Sequence, residues 1–154
     1  MLIVEQLKAA GAIYLEHIQE GFEHYNYKVV SWNQEEAYEH IRKLWLLNDP
    51  EHSFADFYYY KLDNEAKKKI DSMLNEEELN YIKGISCSLE EIIFPLDEML
   101  MNILVKLNYS EMLFSTFYFT KEPCTLWGNY HGEYVVFHID NSKNTFLDII
   151  TKME

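Results

Sequence analysis

Between Leu96 and Leu107 the apolar side chains fall at Leu96, Met99, Leu100, Ile103, Leu104 and Leu107, which is the spacing of one helix face. Met101 and Val105 lie between them, so the stripe is wide enough to predict a central, buried helix. After Asn108 the period changes. Residues 112–120 (MLFSTFYFT) and 133–139 (EYVVFHI) are rich in β-branched and aromatic side chains and predict strands. Helices that come first and strands that come after must bury their apolar faces on each other. The expected class is α+β: a mainly helical N-terminal two-thirds packed on a small antiparallel sheet formed largely by the C-terminal third. No repeat or linker divides residues 1–154, and their number suits one domain.

The upstream segments carry helix signals. Leu2, Ile3, Leu7, Ala10, Ile13, Tyr14 and Ile18 predict a helix over about 2–20, with Gly21 as its stop. Residues 22–30 (FEHYNYKVV) read as a strand or extended linker. Ser31 with Gln34 fits a capping box for a helix that ends at Asn48-Asp49-Pro50. Residues 53–62 (SFADFYYYKL) fit helix or strand. Asp63 can cap a lysine-rich helix, Asn75 with Glu78 opens a short one closed by Gly84, and Ser88 with Glu91 opens a helix or turn that Pro95 interrupts or offsets. Residues 121–132 read as a loop, 140–144 as a turn, and 145–153 as a strand or closing helix.

Charge narrows the function classes. The chain carries 26 Asp+Glu against 13 Lys+Arg, a formal net charge of −13. Residues 1–60 hold 10 acids and 4 bases, 61–100 hold 10 and 5, and 101–154 hold 6 and 4. Arg42 is the sole arginine, and Lys67-Lys68-Lys69 is flanked by Asp63, Glu65, Asp71 and Glu76. Phosphate recognition depends on Arg and Lys clusters, so direct nucleic-acid binding is not expected. An anionic membrane surface would repel the chain, and no apolar run reaches the ~18–20 residues that span a bilayer. The start, Met1-Leu2-Ile3-Val4-Glu5, lacks a basic n-region. Two cysteines, Cys87 and Cys124, are too few for a disulfide framework, so free thiols in the cytoplasm are expected.

Few patterns point to chemistry. His17, Glu20 and His24 have a spacing that could align them as metal ligands on one helix, and Glu36 with His40 adds a further pair, but Gly21 falls among the first three and no His-Glu-x-x-His, Glu-x-x-His or Cys-x-x-Cys motif occurs, so no metal and no other cofactor is expected. Cys124 precedes His131 and His138, yet in an acidic neighbourhood a structural thiol is expected. No phosphate loop and no nucleophile elbow is present. The segment Leu126-Trp127-Gly128-Asn129-Tyr130-His131-Gly132 has the composition of a binding loop, with rings to stack, adaptable polar groups and glycine freedom. It equally suits a hairpin corner whose Trp127 and Tyr130 plug the core.

Phe114-Ser115 at a strand end, Leu126-Trp127-Gly128-Asn129-Tyr130, and His131-Gly132 before an alternating strand resemble, over residues 113–139, an uncharacterised bacterial domain family found near phage-defence genes. Asn48-Asp49-Pro50 matches a tripeptide of that family. The resemblance implies a bacterial or phage context and no particular activity.

The functional expectation is a small acidic protein that binds and inhibits a basic partner protein, in the manner of immunity proteins or phage anti-defence inhibitors of nucleic-acid enzymes. An acidic face steers onto a basic cleft and aromatic side chains complete the contact. The 12 Tyr, 9 Phe and 3 Trp exceed what a core of this size needs. Glu76, Glu77, Glu78, Glu90, Glu91, Asp97 and Glu98 are the expected acidic contacts, with Trp127, Asn129 and Tyr130 as the aromatic loop. A homodimer is compatible with the same surface. The alternative is a defence-related enzyme or ligand-binding domain with its pocket in the Trp127–His138 loop, and His131 as acid–base if it is an enzyme.

Overall fold

The computed structural model describes residues 3–85, 92–139 and 152. Ser88, Glu90, Glu91, Cys87, the 140–144 turn and all but one residue of the 145–153 element lie outside them. The described residues form an α+β fold of six α-helices and one six-stranded antiparallel sheet.

The N-terminal helical spacing resolves into two helices, α1 (Val4–Ala9) and α2 (Ile18–His24). Gly11, at φ +102°, ends the first turn-off from α1. The chain then runs extended so that Ile13 and Leu15 pack on Val135 and Phe137. Residues two apart share a face of an extended chain, and this tertiary contact overrides the helical pattern. Gly21 is not a stop. It is buried within α2, where a Cβ would lie 2.4 Å from the Phe137 ring.

Strand β1 (Asn26–Ser31) follows, then α3 (Gln34–Asn48). The N-cap of α3 is Asn33 with Glu36, not Ser31 with Gln34: Glu36 N–H donates to Asn33 Oδ1 at 2.8 Å and Asn33 N–H to Glu36 Oε1 at 3.0 Å. Ser31 and Trp32 are still engaged by the sheet, paired with Glu133 and Gly132. Strand β2 (Ser53–Asp56), α4 (Asn64–Asp71) and α5 (Glu76–Gly84) come next. Asp63 caps α4 and Asn75 with Glu78 forms the box of α5, as the sequence predicts. After β3 (Ile93–Pro95), Asp97 caps the buried helix α6 (Glu98–Tyr109). Strands β4 (Thr116–Phe119), β5 (Cys124–Gly128) and β6 (Glu133–His138) complete the sheet. Strand β5 falls where a loop is expected. Both its faces are covered, so Cys124-Thr125-Leu126-Trp127 lacks the polar alternation that marks a strand.

The strand order is β1-β6-β5-β4-β2-β3, so three of the strands come from before α6. On one face Ala55, Phe117, Phe119, Leu126 and Val136 meet α3 and α6 through Ile41, Leu44, Leu100, Ile103 and Leu107, all essentially buried. The other face is covered by the N-terminal segment, through Ile13 and Leu15 at one side and Leu7 against Ile93 and Tyr118 at the other. Between these two small clusters the cover is incomplete. No helix among the described residues is long and apolar enough to cross a membrane.

Candidate functional site

The gap in that cover is a recess of about 180 Å³ between Tyr14, Leu15 and Glu16 of the N-terminal segment and the outer face of the sheet. Strand alternation sets its floor. Phe117 and Leu126 point into the helical core, so Thr116, Tyr118 and Trp127 face the recess. Asp56 ends β2 beside them, and Tyr58, Phe114, Ser115 and Gly128 complete the wall. Tyr14 stacks on Tyr118 with ring centroids 6.1 Å apart, and Lys8 Nζ lies 5.3 Å from the Tyr14 ring without lining the recess.

Asp56 is 6% exposed. Its Oδ1 accepts the Thr116 N–H at 2.8 Å, and among the described residues it has no cationic partner. Burial raises its carboxyl to about 7, against the opposing effect of the Thr116 hydrogen bonds. The surrounding phenols respond. Burial and then the charge of Asp56 push Tyr118 up and Tyr58 to about 12; burial, Glu16 and then Asp56 raise Tyr14. The hydroxyl of Ser115, a residue 3% exposed, has no hydrogen-bond partner among the described residues. Among the described residues the lining holds two carboxylates, Glu16 and Asp56, five aromatic rings and no Lys, Arg or His. A carboxyl group raised by desolvation inside a recess is a combination by which functional-site candidates are recognised.

Of the residues singled out from sequence, Trp127 lines this recess. Tyr130 stands at 56% exposure and meets Phe114 edge-on at 4.7 Å, extending the aromatic wall outward. Asn129 folds back to accept the Tyr130 N–H at 2.9 Å. His131 does not line the recess, although its ring lies 6.5 Å from that of Tyr130. It is exposed, at φ +62°, and its N–H donates to Glu111 Oε2 at 2.9 Å.

The acidic residues divide. Glu76 and Glu77 are exposed on the first turn of α5. Glu78 is 1% exposed and fully engaged, with Lys106 Nζ at 2.6 Å and Asn102 Nδ2 at 2.8 Å. Asp97 caps α6 and accepts the Tyr81 hydroxyl at 2.8 Å. Glu98 meets Arg42 Nε at 3.3 Å. Glu90 and Glu91 lie outside the described residues. His17 is the N-cap of α2 and its N–H donates to Glu20 Oε1 at 3.1 Å, while His24 sits 4.0 Å from Glu23. Among the described residues no group of three His, Cys, Asp or Glu could hold a metal. Cys124 is completely buried in the helical core, and burial pushes its thiol well up.

Sequence reasoning missed Asp56. The available signal was a lone carboxylate inside the aromatic run SFADFYYYKL, where the apolar neighbours predict desolvation.

The fold and the recess define an α+β domain with a candidate binding site on the face of the sheet opposite its main helices. Comparison of the chain with protein-family models, with curated proteins and with solved structures finds no match.

Proposed function

We propose that the chain is an acidic binding protein that docks on a basic protein partner and inhibits it, in the manner of immunity-type or phage anti-defence-type inhibitors. The docking face is the rim of the recess, where Tyr58 and Tyr130 stand exposed beside Glu16, Trp127 and Phe114. The observation that carries this reading is the lining itself: rings and carboxylates with no cationic side chain among the described residues. Aromatic anchors supply contact area, and a net charge of −13 steers a basic surface onto it. An enzyme that handles nucleic acid is the fitting target class, because its substrate cleft is basic.

The test places a photo-crosslinking phenylalanine derivative at Tyr130. The expected product is a crosslink to a basic protein, with a yield that falls as ionic strength rises. A crosslink to an acidic protein, or a yield indifferent to salt, overturns the reading.

A second reading rests on Asp56. A buried carboxyl that titrates near neutrality suits a pocket for a free ligand, or for proton-transfer chemistry at Asp56 in place of His131.

A further inference from the structure

We propose that the recess is an organic-cation site: it takes one guanidinium or alkylammonium group, with Asp56 as the counter-ion and the surrounding aromatic rings as its walls. This deepens the partner reading, because on that reading the cation is the end of an Arg or Lys side chain of the docked protein.

Three independent features converge. Asp56 is nearly inaccessible, holds a backbone N–H from Thr116 and has no cationic partner among the described residues. A carboxylate placed that way lacks the charge that normally compensates burial. The rings of Tyr58, Phe114, Tyr118 and Trp127 line the same space, and aromatic quadrupoles attract desolvated cations. The buried Ser115 hydroxyl, which lines the recess and has no partner among the described residues, offers a further acceptor to a ligand N–H. Size sets the upper limit. About 180 Å³ corresponds to on the order of six waters, enough for the end of a side chain and too little for a nucleotide. Anions are disfavoured by Glu16 and Asp56 together.

The test is a titration of the whole chain, read by Trp fluorescence and by NMR shifts of Tyr118 and Trp127. The probes are Nα-acetyl-arginine amide, Nα-acetyl-lysine amide, and Nα-acetyl-citrulline amide as the neutral isostere of the first. At least one cationic probe should bind, and the citrulline derivative should bind about tenfold more weakly or not at all. Asp56→Asn should lower cation affinity by a similar factor, whereas Glu39→Gln, at an exposed position of α3, should leave it unchanged. Trp127→Leu should also weaken it, which covers the case in which the Asp56 variant fails to fold. Equal binding of the arginine and citrulline probes, no binding of either cation, or full affinity in Asp56→Asn overturns the site. The cation probes should also compete with the Tyr130 crosslink. If they bind but do not compete, the site stands as one for a free organic cation, and the partner's side chain is excluded as its occupant. If the crosslink forms with a basic protein and no cation binds, the partner reading survives and the site falls.

Discussion

Glu78 Oε1 lies 2.6 Å from Lys106 Nζ, bridging α5 to α6 beneath the surface. The same oxygen accepts the Asn75 N–H at 2.9 Å, so one carboxylate closes a helix cap and ties two helices together. Removing it leaves Lys106, only 21% exposed at its side chain, without its partner. Glu78→Ala should destabilise the fold by about 3 kcal/mol. Glu76→Ala and Glu77→Ala, on the exposed turn, should each stay within about 0.5 kcal/mol. Urea denaturation separates the cases. A tolerant Glu78 would return the whole triplet to the solvated surface.

Asp56 links stability to pH with a definite sign. Its carboxyl rises from 3.8 in a model peptide to about 7 in the fold, so the folded state binds the proton more tightly. Stability from this group is complete below about pH 4 and is lost as pH rises through 7, by an amount on the order of 4 kcal/mol. Asp56→Asn keeps an acceptor for the Thr116 N–H and removes the titration. The variant should therefore exceed the parent in stability at pH 8, with the difference closing towards pH 4. Thermal melts of both proteins across that interval give the result. A parallel pair of curves would place the titration elsewhere. A carboxyl that costs stability at neutral pH is also what a binding role would require.

Asn48 ties three segments together from the end of α3. It is fully buried, donates to His52 O at 2.9 Å and to Ser53 Oγ at 3.0 Å, and accepts the Glu122 N–H at 2.8 Å. The next residue, Asp49, sits at φ +112° and caps the short turn that Pro50 begins. Asn48→Ala leaves the part-buried Glu122 N–H without its acceptor and Ser53 Oγ without the Asn48 donor, while His52 O keeps its bonds from Thr120, and should cost about 2 kcal/mol in chemical denaturation. Asn48→Asp should cost at least as much, because the charge is buried and the donor to His52 is gone. Neither change touches the recess, so residual folded protein should bind normally.

Local signals carried far in this chain, and long-range ones did not. The caps at Asp63 and Asn75 and the stripe of α6 were readable because each depends on residues three or four apart. The split of the first helix was not, since Ile13 also fits the helical stripe and only the packing of Ile13 and Leu15 together on Val135 and Phe137 sets the extended conformation. Strands β3 and β5 were hidden for a related reason: a strand covered on both faces loses its alternation. Trp127 and Tyr130 were visible as unusual loop residues. Asp56 was not, because what makes it a site is Thr116, sixty positions away.

Gly128 sets how closely the floor of the recess approaches α6. Its N–H donates to Ser115 O at 3.2 Å, and Asn108 Oδ1 reaches over to accept the Ser115 N–H at 3.1 Å. A Cβ on Gly128 would stand 2.5 Å from Asn108 Oδ1 and 2.9 Å from Ser115 O. The first atom belongs to a buried side chain held by its own hydrogen bond, and the second to backbone, so neither retreats cheaply. Gly128→Ala should therefore destabilise the fold by about 2 kcal/mol. It should also displace Ser115 and with it the wall of the recess. Gly84, with nothing within 4 Å of its missing Cβ, supplies the control: Gly84→Ala should cost far less. If Gly128→Ala melts with the parent and binds the cationic probes equally well, the close approach is soft and Ser115 plays no part in the site.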